Sequence, residues 1–199
     1  MTRTEWTVLQ EAHDSIRAAV AGVPANGWHL PTPCEQWDVT QVLQHAIGDQ
    51  FAYVSKITGG PGPSYDPFSP SGSLDGASPA ELLEAALSAS ADAFGRISAD
   101  SSEVPVPLPP FQLSAELAVG AAALDLAVHA WDIAVATDGP STLKPSLAQA
   151  LLPVANALVE PLRGFAFSPA ITPAPAADEA ASLLNHLGRR ADWKAGSPS

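Results

Sequence analysis

The segment from Ala118 to Ala136 is apolar almost without interruption, yet it carries Asp125, His129 and Asp132. With no proline and no turn signal inside it, the run reads as one long helix, and a helix apolar around most of its circumference must be buried. A step of four residues returns to the same helix face, so Asp125 and His129 project together. Asp132 falls within about 20° of Asp125 in projection at 3.6 residues per turn. Two carboxylates and an imidazole buried on such a helix must be paired, neutralised or bound to a cation. A metal site is the leading reading of this helix.

The remaining segments can be read from their start and stop signals. Glu5 to Ala21 places Trp6, Leu9, Ile16 and Val20 at helical spacing. Pro24, Gly27, Pro31 and Pro33 make the stretch to Trp37 an irregular connection. Asp38 followed by Gln41 has capping-box spacing and opens a helix that should reach Thr58, where Gly59 and Gly60 stop it. A proline-punctuated loop from Gly59 to Ala77 follows, of a length that in compact domains is usually functional. Ser78-Pro79 starts another helix, expected to extend to Ser98. Val104 to Phe111 alternates proline with apolar residues, which predicts an extended crossover rather than a paired strand. Ser114 caps the long helix, Gly139-Pro140 closes it, and a further helix is expected over Lys144 to Arg163, with Pro153 threatening a kink. A short helix over Asp178 to Gly188 ends the pattern. The expectation is an all-α domain on four principal helices, with a metal-binding bundle over 1–140 and a C-terminal helical extension over 141–199 packed on it.

Composition excludes several partners. Nine Lys plus Arg stand against 21 Asp plus Glu, a net charge of −12 that repels phosphate backbones and anionic lipid. Nucleic-acid and membrane partners are therefore not expected. A single cysteine forbids an intrachain disulfide, and the first ten residues lack the basic-then-apolar order of a secretory signal, so the expected location is the cytoplasm. The expected partner is a small molecule, with the chain acting as a monomer or homodimer.

A site built on Asp125 and His129 needs another donor. His45 lies beside the apolar stripe Val39, Leu43, Ile47, Phe51 and Val54 of the second helix. An imidazole so placed can simply finish a core edge; a buried acid–imidazole pair on another long helix favours its use as a ligand. Three N/O donors with open positions left for water describe a catalytic rather than a structural divalent site. Asp132 has two readings, holding an imidazole N–H or accepting hydrogen bonds from a neighbouring loop. Asp49, four residues after His45, either orients that ring or lines the pocket mouth. Cys34, between prolines and with no basic neighbour in sequence, reads as an inert thiol. His13, His29 and His186 read as surface or packing residues, and Trp37 and Trp131 as bundle filling.

Three stretches resemble one known family. Pro31-Thr32-Pro33-Cys34-Glu35-Gln36-Trp37 followed by Val42-Leu43-Gln44-His45, then Asp125-Leu126-Ala127-Val128-His129-Ala130-Trp131-Asp132-Ile133-Ala134, are similar to the two signatures of the mycothiol-dependent maleylpyruvate isomerase-like proteins, within the DinB-like metal-binding superfamily. Leu183 to Trp193 resembles the tail of its shorter actinobacterial members. The resemblance implies a DinB-like four-helix bundle with long crossover loops, with His45, Asp125 and His129 as metal ligands. Asp125 stands where the isomerase has glutamate. It implies a divalent ion, zinc or nickel, and a mycothiol-dependent isomerase or S-transferase acting on a small electrophile, the reactive group being a metal-bound water or thiolate. Basic residues near such a pocket would be Lys56, Arg96 or Lys144. Two alternatives remain open: a metal-assisted tailoring enzyme of a natural-product pathway, and a non-catalytic metal- or ligand-binding bundle.

Overall fold

A computed structural model describes residues 4–195. Its helices are α1 (Thr7–Gly22), α2 (Val39–Thr58), α3 (Pro79–Phe94), α4 (Ala115–Ala136), α5 (Pro145–Leu158) and α6 (Glu179–His186), with a single 3-10 turn over Glu160–Leu162. Local chemistry sets most of these boundaries. Asp38 accepts from the Gln41 amide while the Gln41 side chain accepts from the Asp38 amide, so two of the first unpaired donors of α2 are satisfied reciprocally. Gly59 ends the helix at φ 70°, a left-handed conformation that a side chain would resist. Ser78, Ser114 and Asp178 each accept an amide three residues on, at the starts of α3, α4 and α6.

Helix α1 packs on α4 and α3, and α2 packs on α3 and α4, forming an all-α bundle around a continuous core. Most of α4 is buried by its neighbours. Its length and composition alone would let it cross a membrane, but here its apolar surface is covered by helices of the same chain. Helix α5 lies against α4, and α6 against α5. Gly120 allows that approach: a Cβ there would fall 2.6 Å from Val154 Cγ2.

Three expectations are corrected. Helix α3 stops at Phe94, not Ser98, because the amides of Gly95, Arg96 and Ile97 turn back on the last carbonyls of the helix. The fifth helix ends at Leu158 and continues only as the 3-10 turn. Val104–Pro105 (β1) pairs antiparallel with Gln112–Leu113 (β2), so a short ribbon forms where an unpaired crossover was expected. A two-stranded ribbon has only edges, and the missing N–H of Pro105 can face away from its partner.

Candidate metal centre

The second helix and α4 converge where His45, Asp125 and His129 meet. His45 Nε2 lies 3.3 Å from Asp125 Oδ1, and His129 Nε2 lies 3.4 Å from the same oxygen. One ligating atom from each residue falls within 4.8 Å of the other two. The rings of His45 and His129 stand 4.8 Å apart at 79°, edge to face.

Each imidazole has its outward nitrogen committed. His45 Nδ1 sits 2.9 Å from the carbonyl of Pro67, which can only accept, so Nδ1 carries a proton and Nε2 is the nitrogen that faces inward, available to a metal. Pro67 belongs to the long loop after α2, and that loop closes down over Gly48, where a Cβ would fall 2.9 Å from Pro67 Cγ. His129 Nδ1 donates at 2.9 Å to Asp132 Oδ2, again leaving Nε2 to face Asp125. Such outward partners fix the tautomer and orientation of ligating histidines. Asp125 Oδ2 is buried with no hydrogen-bond partner among the described residues, an orphan acceptor of the kind a cation satisfies. Two imidazole nitrogens and one carboxylate, with that oxygen to spare, fit a first-row divalent ion.

The charges are tightly linked. Burial opposes the imidazolium of His129, but the charge of Asp125 and hydrogen bonds to Asp125 and Asp132 outweigh it and hold its pKa well above the usual value. Burial likewise opposes ionisation of Asp125, yet the facing imidazoles keep it well below the carboxylate range. Asp132 is wholly buried and still held down to about 2, because a guanidinium faces it.

That guanidinium is Arg189, which none of the sequence signals singled out. Its Nε donates to Asp132 Oδ1 at 2.9 Å and its Nη2 to Oδ2 at 2.9 Å, a two-pronged pair that brings the segment after α6 onto α4. Both readings of Asp132 therefore apply at once: it holds an imidazole N–H and it ties down a distant segment. Arg189 Nη2 also lies 3.2 Å from Cys34 Sγ, so the thiol with no basic neighbour in sequence has one through the fold. Asp49 does not orient His45; the Pro67 carbonyl does, and Asp49 is buried in the cavity wall. Trp37, expected as bundle filling, lies against His45 with ring centroids 4.6 Å apart and planes tilted by 36°, and lines the cavity, whereas Trp131 is buried in the core. Lys56, Arg96 and Lys144 do not line the cavity. His29 is exposed, 3.2 Å from Asp38. His13 and His186 each keep a buried Nε2 without a hydrogen bond among the described residues.

The three converging residues open onto a cavity of about 610 Å³, within the range of small-molecule sites. Aromatic rings of Trp37, Phe68 and Phe165 stand in its wall, and Cys34 and Arg189 lie at one side.

Comparison with known proteins matches this architecture. The model of the mycothiol maleylpyruvate isomerase N-terminal domain covers residues 9–134, which run from within α1 to within α4 and include all three converging residues. Two proteins of Mycobacterium tuberculosis, one from each of two strains and both described as uncharacterized, are 31% identical over 186 residues, covering 90% of this chain and 96% of theirs. No solved structure matches the chain. On the extent of the family match and the full-length relatives, the chain belongs to the mycothiol maleylpyruvate isomerase N-terminal domain family.

Proposed function

We propose that the protein is a divalent-metal enzyme in which His45, Asp125 and His129 hold the ion and a low-molecular-weight thiol is the nucleophile toward a small electrophile. The observation that carries this reading is the pair of inward-facing Nε2 atoms around Asp125, whose second oxygen is buried and unpaired. Zinc or nickel suits the donor set, and a bound ion supplies the charge that keeps a thiol ionised at neutral pH. The chain's own groups do the positioning. Asp132 and the Pro67 carbonyl hold the two rings in register, and Trp37 packs against one side of His45. Arg189 fixes Asp132 and sets a fixed positive charge beside Cys34 at the edge of the cavity.

Three protein donors opening on a cavity favour an enzyme over a structural module, which would close its ion with a fourth protein ligand. Elemental analysis after mild reconstitution tests the ion: stoichiometric zinc or nickel is expected in the protein and its absence in His129→Ala. Thermal denaturation with millimolar mycothiol tests the thiol, because a ligand of the folded state raises the midpoint by mass action. No shift in metal-loaded protein would transfer the proposal to metal-assisted tailoring of another small substrate.

A further inference from the structure

The cavity wall away from the ion site is acidic and aromatic. Asp49 reaches it from α2, one turn beyond His45, with 7% of its surface exposed. Its carboxylate lines the cavity and makes no hydrogen bond to another described residue. One turn further, Tyr53 lines the same cavity, 5% exposed, and its hydroxyl also makes no hydrogen bond there. Trp37, Phe68 and Phe165 present ring surface to the cavity, with Phe68 and Phe165 in contact at 5.1 Å across its mouth. The guanidinium in the wall, Arg189, is turned to Asp132 and Cys34.

A carboxyl, a phenol hydroxyl and ring faces, with the one guanidinium in the wall already committed to Asp132 and Cys34, form a lining better suited to an organic cation than to an anion. We propose that this cavity recognises a protonated amine, its ammonium group against Asp49 and Tyr53 and its apolar body among Trp37, Phe68 and Phe165. The ammonium donates to the Asp49 carboxylate and the Tyr53 oxygen, filling acceptors the fold leaves open. Burial and the nearby charge of Asp125 make ionised Asp49 unfavourable in the empty cavity, and a cation beside it removes that cost. The inference rests on the cavity being the substrate site, but not on which ion or thiol is used. It makes the substrate of the proposed reaction an amine-bearing electrophile rather than an anionic one.

Calorimetric titration of the zinc-reconstituted protein with 2-phenylethylammonium chloride tests it, with 2-phenylethanol and 3-phenylpropionate as neutral and anionic comparators. The ammonium compound should bind at least roughly tenfold more tightly than either comparator, and Asp49→Asn should abolish that preference while leaving zinc content unchanged. Repetition on EDTA-treated protein separates this subsite from the ion: binding that persists without zinc supports the proposal, and binding lost with zinc overturns it. A preference for the carboxylate, or unchanged affinity in Asp49→Asn, also overturns it. Should Asp49→Asn fail to fold, Tyr53→Phe must selectively weaken the ammonium compound or the proposal falls. Failure of the protein to take up zinc would remove the metal reading and leave the measurement on metal-free protein intact.

Discussion

His129 and His13 are both buried in one bundle, and the fold drives them to opposite charge states. His129 lies between Asp125 and Asp132, whose carboxylates outweigh burial and hold the ring's pKa well above its usual value. His13, on α1, is only 2% exposed, and its Nε2 has no hydrogen-bond partner among the described residues. Burial, reinforced by the charge of Arg17, lowers it to about 4 despite Asp14 and Glu84. Burial alone neutralises an imidazole; burial with facing carboxylates makes it a cation, or a ligand once a metal takes the proton's place. The difference separates a polar cluster around Asp125 from an apolar body that only has to pack.

The largest expected effect comes from breaking the polar cluster. Asp132→Asn leaves Arg189 as a buried charge without its counter-ion and should cost about 3–5 kcal/mol in urea unfolding. It should also weaken zinc binding roughly 10–100-fold through the loosened His129 ring. Unchanged stability would mean that Arg189 is not held by Asp132 in solution.

Acid sharpens the comparison from the other side. The folded pKa of His13 lies below its unfolded value, so its neutral form supports full stability above pH 6.5, and that support is lost as pH falls from 6.5 to about 4. The loss should approach about 3 kcal/mol, and His13→Leu should flatten this part of the unfolding-versus-pH curve. Asp132 is depressed to about 2, so its contribution is present above pH 3.8 and disappears only below it. The two regions should thus fail in separate pH windows. A single acid transition shared by wild type and His13→Leu would contradict that separation.

Within the apolar body, Gly120→Ala pushes a methyl into Val154 and should destabilise by about 1–3 kcal/mol while leaving zinc affinity unchanged. A matching loss of zinc affinity would show that the two regions are not independent. The smallest effect is that of Asp38→Ala, which removes half of the capping box of α2 and should cost about 1 kcal/mol by thermal denaturation, without altering the acid step of His13.

The features written in local chemistry were legible in the sequence. The Asp38–Gln41 box, the Gly59 stop, the Ser78-Pro79 start and the Ser114 cap all lie where spacing and residue type place them. The helical step of four residues was enough to place Asp125 and His129 on one face, and the fold brings His45 to them. What escaped depends on distance along the chain. Arg189 is 57 residues from Asp132 and 155 from Cys34, and no periodic pattern encodes either meeting. Had the buried charge of Asp132 been required to find a cation, the short supply of Lys and Arg would have narrowed the search. The β1–β2 ribbon was missed because prolines weigh against a strand, a rule that a two-residue edge pairing does not break.

The contact that aims His45 is made by a carbonyl, and every residue type has one. Alanine scanning would therefore pass over position 67 without removing the acceptor. Length is another matter: inserting or deleting a residue between Gly59 and Pro67 would slide a different carbonyl, or none, over the ring. Indels in that loop, more than substitutions of its backbone acceptor, would disturb the aim of the His45 ring.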